Sequence, residues 1–185
     1  MITTKKELKE WQNAEKYLKG GGRDWILYLI QGSERAVLQK YQRTLRKLEY
    51  YINTGKKIQG IVYRLKLNKL QNKYAIHIPP NTCGKGLRLL HVGPILINDK
   101  ARLGDNCAIH INTSIVAGNT TGGVPRIGNN VLICTGATIV GELTLADDIV
   151  VGANAVVNKS FLTGNITIAG VPAKVIKETG RKQYS

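Results

Sequence analysis

Two different periods of apolar residues divide the chain. Up to Tyr74, apolar residues recur mainly at steps of three and four, which is typical of amphipathic helices. Beyond that point, Ile, Val or Leu returns at every sixth position. We therefore expect a basic helical N-terminal region over residues 1–75, a second architecture over residues 76–177, and a short basic C-terminal tail over residues 178–185.

The first predicted helix begins with a capping box. In Thr4-Lys-Lys-Glu7, the Thr hydroxyl and the Glu carboxylate can each accept a hydrogen bond from a free backbone N–H of the first turn. We expect a helix over about residues 5–18. Residues 20–22 are all Gly and interrupt it, because three glycines lose too much backbone entropy to stay helical.

Two further helices are predicted before the period changes. One begins near Ser33 and ends at residues 53–55, and the other covers residues 57–73. A stripe of apolar residues on one helical face normally packs against other elements. The stripe of the second helix consists of Leu38, Tyr41, Leu45, Leu48 and Ile52, and the less regular stripe of the third consists of Ile58, Ile61, Leu65 and Leu70.

The period of six indicates a solenoid. Neither a helix nor simple strand alternation gives this period, whereas three short strands per coil place every sixth side chain at an equivalent inward position. Gly, Asn and Asp often follow the aliphatic residue, as in Leu103-Gly-Asp-Asn, and tight corners favour these residue types. The positions in this series are Leu103, Ile109, Ile115, Ile127, Ile133, Ile139, Leu145, Val151 and Val157.

One interruption breaks the series, between Ile115 and Ile127. It contains Thr120-Thr-Gly-Gly-Val-Pro125, a composition that is not typical of a strand. This segment either replaces one hexad or bulges from the coil. The interrupted face of a solenoid is often its binding face, and a surface insertion without function is the alternative.

The hexads, the loop and the closing segment Gly170-Val-Pro-Ala-Lys174 together resemble the left-handed β-helix acyltransferases. Among these, the chain is most similar to serine O-acetyltransferases and to bacterial O-acetyltransferases of capsule and exopolysaccharide synthesis. The resemblance covers about residues 76–177 and extends weakly to residues 45–51. It implies a mainly β fold with α, a left-handed parallel β-helix preceded by a small helical region. It also implies a homotrimer that transfers acetyl from acetyl-CoA directly to a hydroxyl.

Direct transfer to a hydroxyl requires a base, and imidazole is well suited to this near neutral pH. His91 lies in a segment similar to the family's Asp-His-Ala-Thr-Gly stretch, so the resemblance implies that it is the base. Counting back in sixes from Leu103 also places His91 in the aliphatic register. His110 is the second catalytic candidate, with an ordinary exposed histidine as the alternative. His77 lies about one coil before His91 and could neighbour the site, but we favour a strand residue without a role.

The resemblance also implies a coenzyme A site lined by small residues of adjacent coils. Gly136-Ala137 and Gly152-Ala153 lie sixteen residues apart, close to one coil, and are the expected lining. Lys174 is the candidate for the phosphates. We expect no metal, because the histidine spacings of 14 and 19 lack the close pair that a zinc-dependent γ-type carbonic anhydrase requires.

The expected acceptor is a sugar hydroxyl in surface polysaccharide biosynthesis. Serine acetyltransferases carry Asp where this chain has Ile76 and Leu90, and an Arg-His pair where it has Gly123-Val124. Without those groups, the charged ends of free serine lose their anchors. A serine O-acetyltransferase of cysteine biosynthesis is the alternative, and nothing in the sequence tells whether a glycan acceptor is free, nucleotide-linked or lipid-linked.

Most of the net charge of +15 lies in the first region. Residues 1–75 carry 17 Lys or Arg and 6 Asp or Glu, against 10 and 6 in residues 76–185. Such a field could attract nucleic acid or an anionic membrane surface. A nucleic-acid-binding module is the non-enzyme alternative, but the solenoid has few aromatic residues to stack bases. We expect no nucleic-acid partner, and peripheral association with an anionic membrane surface stays open.

Cysteine usage and hydropathy suggest a cytoplasmic protein. Cys83, Cys107 and Cys134 show no CxxC spacing, so we expect reduced thiols in or near the core. No stretch approaches the roughly 18 to 20 apolar residues of a bilayer span, and the N-terminus lacks the apolar region of a signal peptide.

Overall fold

The computed structural model describes residues 1–17, 30–118 and 122–182. The chain divides into two compact units, residues 1–76 and residues 77–185. The described helices are α1 (Lys5–Ala14), α2 (Glu34–Asn53) and α3 (Lys57–Tyr74). Among the described residues, no helix is both long enough and apolar enough to cross a bilayer.

The predicted capping box opens α1. The N–H of Glu7 donates to the Thr4 hydroxyl, and the N–H of Thr4 donates to the Glu7 carboxylate. Backbone hydrogen bonds, first from Thr3 and then from Thr4, lower the pKa of Glu7 to about 2. The helix ends at Ala14 rather than at residue 18, because Glu15 leaves the helix and its carboxylate binds a buried arginine. The predicted break at residues 20–22 lies outside the described residues.

That arginine, Arg46 of α2, lies at the centre of a buried ionic cluster. Its Nη2 donates to Glu15 at 2.7 Å and its Nη1 donates to Glu49 at 2.9 Å. The Trp11 ring lies 4.8 Å from the guanidinium carbon. Burial by itself lowers the pKa of Arg46, but the attraction of Glu49 and Glu15 outweighs this effect, so the pKa lies above its ordinary value. The cluster ties the end of α1 to the middle of α2.

The two longer helices, α2 and α3, pack on each other. The buried face predicted from the sequence agrees with the structure better for α2 than for α3. Four of the five residues predicted for the stripe of α2 are buried, with Tyr41, Leu45 and Leu48 fully enclosed, but Ile52 near the end of the helix is exposed. The stripe predicted for α3 is wrong, because three of its four members are exposed: Ile58, Ile61 and Leu65. The residues that α3 buries are Gly60 and Leu67, on the opposite face.

Short strands make up the second architecture. They are β1 (Ile76–His77), β2 (Arg88–Leu89), β3 (Ile95–Ile97), β4 (Arg102–Leu103), β5 (Ala108–Ile109), β6 (Thr113–Val116), β7 (Arg126–Ile127), β8 (Leu132–Ile133), β9 (Thr138–Val140), β10 (Thr144–Leu145), β11 (Val150–Val151), β12 (Val156–Val157), β13 (Thr167–Ala169) and β14 (Lys174–Lys177).

These strands form three sheets. Sheet A has the order β1-β3-β6-β9-β12, sheet B the order β4-β7-β10, and sheet C the order β2-β5-β8-β11-β13-β14. From β3 to β12, consecutive strands pass from A to B to C and back to A, so each coil has three strands. The pairs are parallel, except that β14 doubles back antiparallel on β13. This confirms the predicted fold, a left-handed β-helix with helices.

Every predicted inward residue of the hexad series is buried. Ile133 pairs with Val151, eighteen residues later, as three hexads require. Leu103 pairs with Ile127, twenty-four residues later. The coil that contains the loop is therefore one hexad longer, so the loop adds a hexad and does not replace one.

The corner between sheets B and C repeats one backbone conformation. Asn106, Asn130, Asp148 and Asn165 all have a positive φ, between 52° and 61°, as predicted for tight corners. At the same corner a Cβ on Gly128 would overlap the Asp147 carboxylate and approach the backbone of the next coil. Only glycine fits this position, because the coils stack too closely for a side chain.

The three cysteines are free, as predicted. Cys83 and Cys107 are buried, and Cys134 is half-buried. The Cys107 thiol donates a hydrogen bond to the carbonyl of Gly128 at 3.3 Å, and burial raises its pKa to about 11. This thiol is therefore a structural group of the core.

Replacing Arg46 by Met should destabilise the helical unit by about 3–5 kcal/mol, because it leaves two buried carboxylates without their cation. Lys40→Met on the exposed side of α2 should change the free energy of unfolding by less than about 0.5 kcal/mol. Urea unfolding followed by Trp fluorescence measures both variants. Equal stability of the two would contradict a structural role for the cluster.

Candidate active site

A longer corner presents His91 to solvent. Leu89 pairs with Ile109, twenty residues later, whereas Ile97 pairs with Ile115, eighteen residues later. The corner between β2 and β3 therefore contains two more residues than the same corner of the next coil. His91 lies in this corner and is exposed. The sequence interpretation that it occupies an inward aliphatic register is wrong, because the two extra residues shift the count.

His110 lies at the same corner, between sheets C and A, in the next coil. The backbone N–H of His110 donates to the carbonyl of Ile133 at 2.9 Å. The backbone carbonyl of His110 accepts from the hydroxyl of the buried Thr113 at 2.8 Å. The rings of His91 and His110 have centroids 6.0 Å apart and planes inclined by 36°. The fold thus brings together the two histidines that the sequence singled out.

Burial, and then the charge of His91, lowers the pKa of His110 below its ordinary value of 6.5. His110 is therefore neutral at physiological pH and can accept a proton. His77 lies elsewhere, exposed on β1 in sheet A, and not at this corner. Among the described residues, no group of three or more His, Cys, Asp or Glu is arranged to hold a metal ion.

A column of backbone positions continues from His110 along this corner. The ladder of sheet C places Cys134, Gly152 and Ala169 above one another in the following coils, and Ala169 pairs with Lys174. Neighbouring strands are about 4.8 Å apart, so the column extends over roughly 19 Å. We call these five residues the corner column. It joins a histidine at one end to an exposed lysine at the other.

The two small-residue pairs predicted for coenzyme A lie at this corner but do not stack on each other. The coil here has eighteen residues, so Gly136-Ala137 stacks on Asn154-Ala155 and not on Gly152-Ala153. Ala137 is fully buried, so its side chain cannot line a groove. Gly136 and Gly152 are half-buried, and Ala153 is exposed. The expected alignment of the two pairs is wrong because one coil is longer than sixteen residues.

Sequence reasoning did not single out Glu142. It lies at the corner between sheets A and B, against the base of the inserted loop, and a Cβ on Gly123 would overlap its side chain. The N–H of Gly118 donates to the carbonyl of Gly123 at 3.0 Å and closes the base of the loop. A carboxylate thus lies beside Gly123, one of the two positions at which the sequence lacks the Arg-His pair of the serine acetyltransferases. The signal available in the sequence was an acidic residue about one coil after the loop.

No protein-family model matches the chain. It is 32% identical to a serine acetyltransferase of Staphylococcus xylosus over 106 residues, which are 56% of this chain and 49% of that protein. The chain spans about half the length of the curated relatives it matches.

Two solved structures have the same fold. A serine acetyltransferase from Brucella abortus strain S19 aligns with a TM-score of 0.72 at 22% identity, over 95% of this chain and 71% of that one. The enzyme of the same strain in complex with coenzyme A aligns with a TM-score of 0.69 at 27% identity, over 95% and 68%. These similarities confirm the resemblance to serine-acetyltransferase-like hexapeptide-repeat transferases.

The pKa of His110 should rise when His91 is replaced by Ala, because one of the two causes that lower it disappears. It should stay below the ordinary value, since burial remains. Titration of the ring protons by NMR measures this, and His77→Ala on β1 is the matched control. An unchanged His110 midpoint in His91→Ala would contradict the coupling of the two rings.

The same shift affects stability. Because the unfolded chain binds a proton at His110 at higher pH than the folded chain does, His110 reduces stability as the pH falls through about 6.5.

Proposed function

We propose that this chain, with the fold of the serine acetyltransferases, is an acetyl-CoA-dependent O-acetyltransferase. The observation that carries the proposal is the pair of imidazoles at one corner of the β-helix, His91 and His110, 6.0 Å apart. The neighbour solved with coenzyme A, 27% identical, supports the choice of donor.

His91 is proposed as the general base. Its exposure allows an acceptor hydroxyl to reach the ring, and the ring of His110 lies beside it. His91 takes the hydroxyl proton as the oxygen attacks the thioester carbonyl of acetyl-CoA. The carbon–sulfur bond breaks, the proton passes to the leaving thiolate, and the acetyl ester and coenzyme A result.

His110 is proposed as a second group of the same site. It lies one coil from His91, and its backbone is fixed on both sides by hydrogen bonds, from its own N–H and from the Thr113 hydroxyl. A neutral imidazole in this position can donate or accept a hydrogen bond with the acceptor. We expect its contribution to be smaller than that of His91, because it is less exposed.

The corner column offers a path for an extended donor. The side chains at the middle of this path are small, because Gly152 packs against Ala169 and the exposed Ala153 follows it. Lys174, exposed at the far end, is proposed to bind a phosphate of coenzyme A. A thin pantetheine arm directed toward His110 would then lie along backbone amides with few side chains in the way.

For the acceptor, the curated relatives favour L-serine, which the sequence interpretation held only as the alternative. None of the comparisons supports a role in polysaccharide synthesis. L-serine is thus the first candidate acceptor.

A neutral sugar hydroxyl is the second candidate, favoured by one specific observation. Glu142 packs against Gly123 at the base of the loop, where serine acetyltransferases carry an arginine. A carboxylate at this position repels the carboxylate of free serine but accepts hydrogen bonds from neutral hydroxyls.

We further propose that the site is assembled between copies of the chain in a homotrimer. Strand β6 separates the histidine corner from the loop corner of the same coil by about 13 Å of extended chain. We therefore propose that the loop corner of one copy, with Glu142, faces the histidines of another. A cyclic trimer provides this contact three times with one kind of interface.

His91→Ala should lower kcat by about 10² to 10⁴ with little change in the affinity for coenzyme A, because it removes the base and no donor contact. His110→Ala should cost less, and His77→Ala should have no effect. Release of the coenzyme A thiol, followed with a thiol reagent, measures the rates. Full activity of His91→Ala would refute the assignment of the base.

Glu142→Gln tests whether this carboxylate opposes serine, and the activity of the original chain with serine and with neutral sugars decides between the two acceptors. If L-serine is the substrate, removal of a repelling carboxylate should raise kcat/KM for serine several-fold, whereas kcat/KM for a neutral sugar should hardly change. Glu178→Gln, an exposed carboxylate of the C-terminal segment, is the matched control. Activity with neutral sugars and none with serine would reject the first candidate, and the reverse result would reject the second.

A further inference from the structure

Helix α3 exposes a continuous apolar face. Ile58 is 77% exposed, Ile61 62% and Leu65 59%, and Val62 beside them is 43% exposed. Ile58, Ile61 and Leu65 follow one another at steps of three and four, and Val62 lies four residues after Ile58, so all four share one side of the helix. The helix packs on α2 through the opposite side, where Gly60 and Leu67 are buried. We call the four exposed residues the α3 stripe.

Positive charges surround the α3 stripe. Helix α3 contains five Lys or Arg and neither Asp nor Glu. By helical geometry, Lys57 and Arg64 follow one edge of the stripe, Lys66 and Lys73 follow the other, and Lys69 lies one turn beyond Leu65. All five cations are exposed. An apolar centre with a cationic border is the pattern of a helix that lies flat in the interface of a bilayer.

Two clefts beside the stripe extend this positive border. The larger, about 610 Å³, lies between α2 and α3. The smaller, about 350 Å³, lies at the turn between the same helices. No described Asp or Glu lines either cleft. The cations of the larger cleft are Lys40, Arg43, Lys47, Lys66 and Lys69, and those of the smaller are Lys56, Lys57 and Arg64.

We propose that the α3 stripe docks the protein on a membrane surface that contains anionic lipids. The apolar side chains enter the boundary between headgroups and acyl chains, and the cations of both clefts bind lipid phosphates. The positive charge of this surface favours anionic lipids over a second copy of the chain. Two α3 stripes of neighbouring copies would bring cations against cations, with no acidic residue on either helix to balance them.

Vesicle sedimentation with the full chain tests this proposal. The protein should bind vesicles that contain phosphatidylglycerol and not vesicles of phosphatidylcholine alone, and added salt should weaken the binding. Ile58→Ser/Ile61→Ser/Leu65→Ser should weaken binding at least about tenfold, because it removes the inserting side chains. The matched apolar control is Leu162→Ser/Ile176→Ser, two exposed residues of the other unit, and it should bind as the original chain does.

A pair of charge variants distinguishes binding through the cations beside the α3 stripe from attraction of the whole basic protein to the anionic surface. Lys57→Gln/Arg64→Gln/Lys66→Gln should reduce binding to anionic vesicles. Lys5→Gln/Lys6→Gln/Lys9→Gln removes the same charge from exposed positions of α1 and should have little effect. Circular dichroism confirms that each variant is folded.

Several results would overturn the proposal. The first is that the protein does not bind anionic vesicles, and the second is that it binds neutral and anionic vesicles equally well. The third is that the α3 and α1 charge variants lose the same amount of binding to anionic vesicles. Another is a stripe variant with a smaller oligomeric mass by light scattering and unchanged vesicle binding, which would assign the α3 stripe to a second copy. Acetyltransferase activity is not a readout here, so failure of this proposal is distinct from failure of the proposed function.

Discussion

The close spacing of the stacked coils is the constraint on which the rest of the β-helix depends. Parallel strands in one ladder lie about 4.8 Å apart, so each regular corner repeats the backbone path of the corner beneath it. Positive φ at Asn106, Asn130, Asp148 and Asn165 is one result. Side chains also join the stacked corners by hydrogen bonds. The carboxamide of Asn129 accepts from the backbone N–H of Asp105, and the carboxylate of Asp147 accepts from the backbone N–H of Asn129. Each coil thus satisfies the corner of its neighbour.

The candidate site lies where this repetition is relaxed. Two additional residues in one corner turn His91 outward, while His110 in the next coil keeps the regular path. A second departure, the inserted loop, lies at another corner of the coil that carries His110. The proposed base thus lies in an irregular corner, and the second candidate, His110, lies on the regular coil beside it.

Much of this architecture could be predicted from the sequence, because a period of six is a local property of the chain. The inward residues from Leu103 to Val157 are all buried as expected. The position of His91 could not be predicted, since its corner also contains apolar residues and an insertion of two leaves no mark on the pattern. The contact between Gly123 and Glu142 joins different coils and depends on the length of each. For α3, periodicity identified an apolar face, but only packing decides which face a helix buries.

The antiparallel strand β14 also limits how far the sheet can grow. An open parallel edge on β13 would offer unpaired backbone groups to another molecule, and end-to-end joining of solenoids into filaments would follow the same hydrogen bonds that join the coils. Strand β14 occupies that edge in the opposite direction, so it provides no template for a further parallel coil. Lysines at both of its ends, Lys174 and Lys177, add charge to the new edge. The closing segment therefore protects the protein from polymerising through sheet C.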